Sequence, residues 1–166
     1  NGNYESAMDL CEDITRQWPR DVVAAKIAEF NYFLGGQYWN RERFAAHMER
    51  IIGANPENPY LQGMYAFAQE LSGNLEQCQA SAELATERKR RNPWAHHALA
   101  HLYTRQAEPA AGIAWLKGLQ DTWQQCGSAI RVHNFWHLAL LHLDQRDTTT
   151  ARQLFDNEVF VRDHQM

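Results

Sequence analysis

The chain has 166 residues, 45% of them hydrophobic and 22% charged, enough apolar content for a sizeable core in one domain or a short repeat array. A net charge of −4 argues against a general nucleic-acid binder or a partner of anionic membranes. No apolar run reaches the ~18 residues of a membrane span and no signal peptide is evident. Cys11, Cys78 and Cys126 are widely spaced, odd in number and without a CxxC pattern, which reads as reduced thiols in a cytoplasmic setting, Cys78 being a small packing residue. The one strongly basic run, Glu87–Arg91, sits where a helix would end, and cations are favoured there by the helix dipole.

Sustained alternation of apolar and polar residues is absent, while Pro, Gly and Asn recur at intervals. Helices are expected over 3–17, 21–34, 39–53, 59–72, 75–91, 93–106, 109–123, 130–145 and 148–161. Trp18–Pro19 ends the first, Asp21 caps the second, and Gly35–Gly36 stops it. Asn58–Pro59 and Asn92–Pro93 recur 34 residues apart, with Asn as the cap and Pro in a first turn that needs no amide hydrogen. Between them Ser72–Gly73–Asn74 breaks the segment into two helices. A 34-residue helix–turn–helix period is the tetratricopeptide pattern. The expected fold is therefore all-α, a tetratricopeptide-like superhelix of about nine antiparallel helices forming a single domain over 1–166. Eight helices make four hairpins, and the first is the second helix of a repeat whose own first helix is missing. The chain opens on Asn1 rather than methionine, which fits a segment of a longer chain.

Small residues are expected where paired helices approach: Ala66 with Cys78, Ala100 with Gly112, Ala139 with Ala151. Large ones at packing positions are Leu99, Tyr103, Leu116, Leu138 and Phe155. Six of the eight histidines lie in two strings, His96–His101 and His133–Asp144. His97 with His101, and His133 with His137, are spaced to share one helix face.

Four stretches, GMYAFAQELSGN (Gly63–Asn74), WAHHALAHLY (Trp94–Tyr103), GIAWL (Gly112–Leu116) and HNFWHLALLHLD (His133–Asp144), together resemble the tetratricopeptide repeat protein 38 family. The likeness runs from residue 20 to residue 160, and HNFWHLALLHLD is its most specific piece. The resemblance implies a tetratricopeptide fold, a central segment of a longer protein, and no firmly assigned reaction. Glu70 matches a glutamate of the family pattern, whereas Thr104 stands where the family usually carries an acidic residue.

In tetratricopeptide arrays the first helix of each pair lines the concave face through its positions 2, 5, 9 and 12. Those positions are Tyr60, Gly63, Phe67 and Glu70 on one helix and Trp94, His97, His101 and Thr104 on the next. His133 and Trp136 follow, with His137 beside them, while His96 and His142 fall between helices. Four roles compete for the imidazoles. They can be wall residues bonded to carbonyls and hydroxyls, or a polar pocket in which Glu70, His97, His101, His133 and His137 converge on a small molecule or peptide end. They can be four nitrogen ligands for zinc or a similar ion. Last, one can be a general base oriented by Glu70. Absence of HExxH and the threonine at 104 weigh against metal; absence of GxSxG, a phosphate loop or a dinucleotide fingerprint weighs against catalysis. Trp94 and Trp136 either wall a ligand or simply pack.

The leading expectation is a helical-repeat scaffold binding a protein, peptide or small ligand in a concave groove lined by histidine and tryptophan, with no cofactor. The alternative is an enzyme or metal protein built on the His97, His101, His133 and His137 cluster with Glu70. Self-association, or contact with the rest of a longer chain, is expected through the first or last helix. His101 and His137 are expected to meet across the groove wall, with Glu70 facing the same side and at least one imidazole pKa depressed.

Overall fold

The computed structural model describes residues 2–160. Among them there is no strand, and the α-helices are α1 (Tyr4–Gln17), α2 (Val22–Leu34), α3 (Gln37–Ala54), α4 (Pro59–Ser72), α5 (Leu75–Arg88), α6 (Pro93–Arg105), α7 (Pro109–Lys117), α8 (Ser128–Asp144) and α9 (Thr148–Leu154). None is long and apolar enough to cross a membrane. Local sequence explains most boundaries. Asn3, Asp21, Asn58 and Asp147 accept hydrogen bonds from first-turn amides of α1, α2, α4 and α9. Prolines open α4, α6 and α7. Gly73 ends α4 at φ 85°, a left-handed conformation that a side chain disfavours.

Successive helices pack as hairpins, α2 on α3, α4 on α5, α6 on α7 and α8 on α9, with α1 against α2. The first helices of these hairpins also touch in series, α2 to α4, α4 to α6 and α6 to α8. That contact brings α6 and α8, which carry the two histidine pairs, side by side. Between the layers lies a continuous core that includes Leu61, Ala66, Cys78, Leu99, Ala100, Leu116, Leu138 and Leu141. Burying each leucine contributes roughly 1.5–3 kcal/mol. All three cysteines are free, and burial pushes the Cys78 thiol up to about 12, so it is an inert packing group.

Several expectations need correction. The helix expected over 109–123 stops at Lys117 and continues as a 3-10 turn over Gln120–Gln125. The break falls at Gly118, where the Arg90 guanidinium donates to the Gly118 carbonyl at 2.6 Å and to both Asp121 oxygens at 2.7 and 2.8 Å. The helix expected to 91 ends at Arg88, and its basic tail is spent on neighbours, Arg88 on Glu57 and Arg91 on Gln125. Asn92 does not cap α6; its Nδ2 reaches across to the Pro59 carbonyl at 2.7 Å and ties the two first helices together. A Cβ on Gly112 would meet Tyr103 Cβ at 2.8 Å and Leu141 Cδ1 at 3.0 Å, so this glycine abuts Tyr103 and α8 rather than Ala100. The last helix ends at Leu154 in a π turn over Phe155–Val159, leaving Phe155 exposed instead of in the core. Its expected final position, 161, lies outside the described residues.

Candidate imidazole cluster

On α6, His97 and His101 are one turn apart and their Nε2 atoms face each other at 3.0 Å; on α8, His133 and His137 do the same, also at 3.0 Å. The pairs then meet across the α6–α8 contact. Ring centroids are 4.6 Å apart for His101 and His137, 4.8 Å for His97 and His133, and 5.1 Å for His97 and His137. One ligand nitrogen from each of the four lies within 4.8 Å of all the others. The expected meeting of His101 with His137 is therefore present, and His97 and His133 join it.

Phe67 of α4 packs on His97 and His101 with centroids 5.0 and 5.7 Å away. Trp136 packs on His133 and His137 at 5.3 and 4.9 Å, and Trp94 sits edge-on to His97 at 6.1 Å. His97 and His137 are buried, His101 is half-buried and His133 is exposed. Behind His101 lies Glu70, whose Oε2 is 3.6 Å from His101 Nδ1. Arg105 donates to Glu70 Oε1 at 3.1 Å and to the Glu70 carbonyl at 2.6 Å. Glu70 Oε2 is buried and makes no hydrogen bond.

Electrostatics keep all four rings neutral. Burial is the main cause for each, pushing His101 down to about 4, His137 down to about 2, His97 well below its ordinary value, and His133 lower as well. Neighbouring imidazoles add to the effect at His97, His133 and His137, because two rings in contact cannot both ionise cheaply. Burial pushes the Glu70 carboxyl up, opposed by Arg105. Two facing Nε2 atoms at this separation hold at most one proton between them, or point two lone pairs at a shared cation. The Glu70 carboxylate, 3.6 Å from His101 Nδ1 and outside hydrogen-bond distance, favours a proton on that nitrogen electrostatically, which leaves Nε2 as a lone pair.

The arrangement suits an ion better than a substrate. Rings at contact separation leave no chamber between them. Two open clefts, one lined by Glu49, Pro56, Tyr65 and Leu84 and the other by Thr148, Arg152 and Asp156, include none of the four imidazoles. A tetrahedral zinc ion bound at ~2.0–2.1 Å separates its ligands by roughly 3.4 Å. Separations of 3.0 Å within the pairs and 4.8 Å at most across them bracket that value.

Other expected site residues fare unevenly. Tyr60 is exposed, with Lys89 rather than a histidine over its face. A Cβ on Gly63 would meet the Ala95 amide at 3.2 Å, so this position seats α4 on α6 instead of lining a groove. Thr104 is exposed and its hydroxyl donates to the Ala100 carbonyl at 2.9 Å. Trp94 is half-buried under the Lys26 ammonium, 3.3 Å from its ring centroid, and its edge meets Phe30. His96 and His142 lie between helices as expected: Trp123 Nε1–H donates to His96 Nδ1 at 2.9 Å, and His142 Nδ1 meets Asp147 Oδ2 at 3.0 Å.

Sequence reasoning overlooked Arg105, one residue beyond the threonine it singled out, and Lys26, which pairs with buried Glu29 next to Trp94. It also overlooked His47. That ring is buried between Thr15 Oγ1 at 2.8 Å and Tyr32 Oη at 2.9 Å, while Tyr32 donates to Glu12 at 2.6 Å. This network ties α1, α2 and α3 together. No family model matches this chain, and no solved structure matches it significantly.

Proposed function

We propose that this chain is a tetratricopeptide-like helical-repeat protein of the reducing cytoplasm whose concave face holds a divalent transition-metal ion on His97, His101, His133 and His137. The resemblance to the tetratricopeptide repeat protein 38 family and the serial contact of α2, α4, α6 and α8 support the repeat reading. The observation that carries the metal reading is the convergence of four neutral imidazoles from two helices within 4.8 Å. Imidazole donors without thiolate or carboxylate in the first shell suit zinc, copper(II), nickel or cobalt rather than magnesium or calcium. Glu70 is the outer-sphere partner of His101, the carboxylate–histidine–metal arrangement that orients a ligand and raises its basicity. Because α6 and α8 each contribute two ligands, the ion also staples neighbouring repeats, so binding energy becomes folding energy.

Competition titration of the purified chain against a chromophoric chelator tests this reading. One zinc per chain is expected, weakened at least tenfold by His101→Ala and again by His137→Ala, with circular dichroism checking that the variants fold. Binding indifferent to both substitutions would overturn it. A second reading, a scaffold for a protein partner, draws on the exposed apolar face of α2, where Val23, Ile27, Phe30 and Leu34 recur at helical spacing. It is compatible with the first, since α2 leads to the same concave face. Light scattering decides whether that face joins two copies of the chain.

A further inference from the structure

A metal ion on this cluster carries a charge problem that points to a second ligand. The four imidazoles are neutral donors and leave the full charge of a dication in place. Glu70, the carboxylate nearest the rings, already accepts from Arg105. The next pair out is Lys26 with Glu29, where Lys26 lies over Trp94 against His97, and Glu29 is buried. Each acid is thus matched by its own base, so the loaded site keeps its two positive charges. Phe67, Trp94 and Trp136 surround it with apolar surface, where an uncompensated charge is costly and the pull on an anion strong.

The surroundings also give a direction of approach. His97 and His137 are 5% exposed and covered by rings, and His101 is backed by Glu70. His133 is the exposed member, and Trp136, 38% exposed, lies beside it. Solvent therefore reaches the ion past His133, and expansion of its shell from four ligands to five admits a donor atom from that side. Resting on the metal reading above, we infer that the loaded cluster binds a small carboxylate or similar oxyanion from solvent on its His133 side. The step is an addition: one metal–oxygen bond to the anion forms at a fifth position, the four metal–nitrogen bonds stay, water leaves only the anion's own hydration shell, and the anion cancels one unit of charge. A free carboxylic acid and the C-terminal carboxylate of a peptide share this chemistry.

The test loads the full chain with cobalt(II) and titrates it with acetate and, in parallel, with an N-acetylated tripeptide, following the cobalt visible bands. Acetate should weaken and shift those bands saturably in the millimolar range as coordination rises from four to five. An equal response to the tripeptide assigns the anion to peptide ends as well; a response to acetate alone restricts it to small acids, and both outcomes support the inference. His133→Ala frees a coordination position and should tighten acetate about tenfold. Cobalt bands that appear but ignore both anions would overturn the inference and leave the metal centre standing. Acetate affinity unchanged in a cobalt-loaded His133→Ala chain would overturn it too. Cobalt that does not bind at all would overturn the metal reading itself.

Discussion

Replacing Gly112 by alanine places a methyl group where α7 is pressed against both histidine-bearing helices. The new Cβ would lie 2.8 Å from Tyr103 Cβ on α6 and 3.0 Å from Leu141 Cδ1 on α8. The leucine methyl can swing away, but Tyr103 Cβ is fixed to its backbone, so α7 and α6 must part by several tenths of an ångström. Overpacking of this kind costs roughly 1–3 kcal/mol. Alanine recovers up to about 1 kcal/mol of helix propensity over glycine. The net loss should be about 1–2 kcal/mol, or a fall of roughly 2–8 °C in Tm for a chain of this size. Thermal unfolding followed by circular dichroism at 222 nm reads it directly. A Tm that stays level or rises would mean that α7 does not approach α6 and α8 as closely as described. Because the same contact sets the spacing of α6 and α8, zinc affinity should weaken alongside stability.

Glu70→Gln keeps the shape of the side chain but removes the carboxylate charge 3.6 Å from His101 Nδ1, so zinc affinity should fall about 10–100-fold; an unchanged affinity would deny Glu70 an outer-sphere role. The metal-free chain should lose stability as pH falls from about 6.5 toward 4. The sign follows from depressed folded pKa values: His47 and His96, each pushed down to about 4 mainly by burial, stay neutral when folded while their unfolded counterparts take up protons. Stability is thus fully present above the unfolded pKa and is lost on acidification; the shift corresponds to roughly 3 kcal/mol per ring. Denaturant melts at pH 7, 6 and 5 check this, and a flat profile would contradict neutral buried rings. For the same reason zinc should stay bound to lower pH than on an ordinary exposed histidine pair, where protons compete from about 6.5 downward.

Much of this was legible in the sequence because it depends on local periodicity. Asn58–Pro59 and Asn92–Pro93 mark two helix starts at the right spacing, and helical pitch alone sets His97 beside His101 and His133 beside His137. The meeting of the pairs followed from placing α6 and α8 as neighbours. What escaped depends on distant partners. Residues Ile113 to Trp123 keep an apolar spacing that reads as one helix, and the contact of Arg90, just past the end of α5, with the 3-10 turn after Gly118 is not announced by that spacing. Thr104 and Arg105 are adjacent on α6, and which of them reaches Glu70 turns on the angle at which α4 crosses, which no local pattern encodes. His47 sits alone in its helix, so nothing nearby in sequence announced Thr15 and Tyr32 as its partners.

The most direct measurement of the central claim is X-ray absorption at the zinc edge of the zinc-loaded chain. The expected spectrum is a first shell of four nitrogens at about 2.0 Å with the multiple scattering of imidazole rings. In His101→Ala one of those imidazoles should be missing. A shell dominated by oxygen, or one that His101→Ala leaves unaltered, would contradict a metal centre built from His97, His101, His133 and His137.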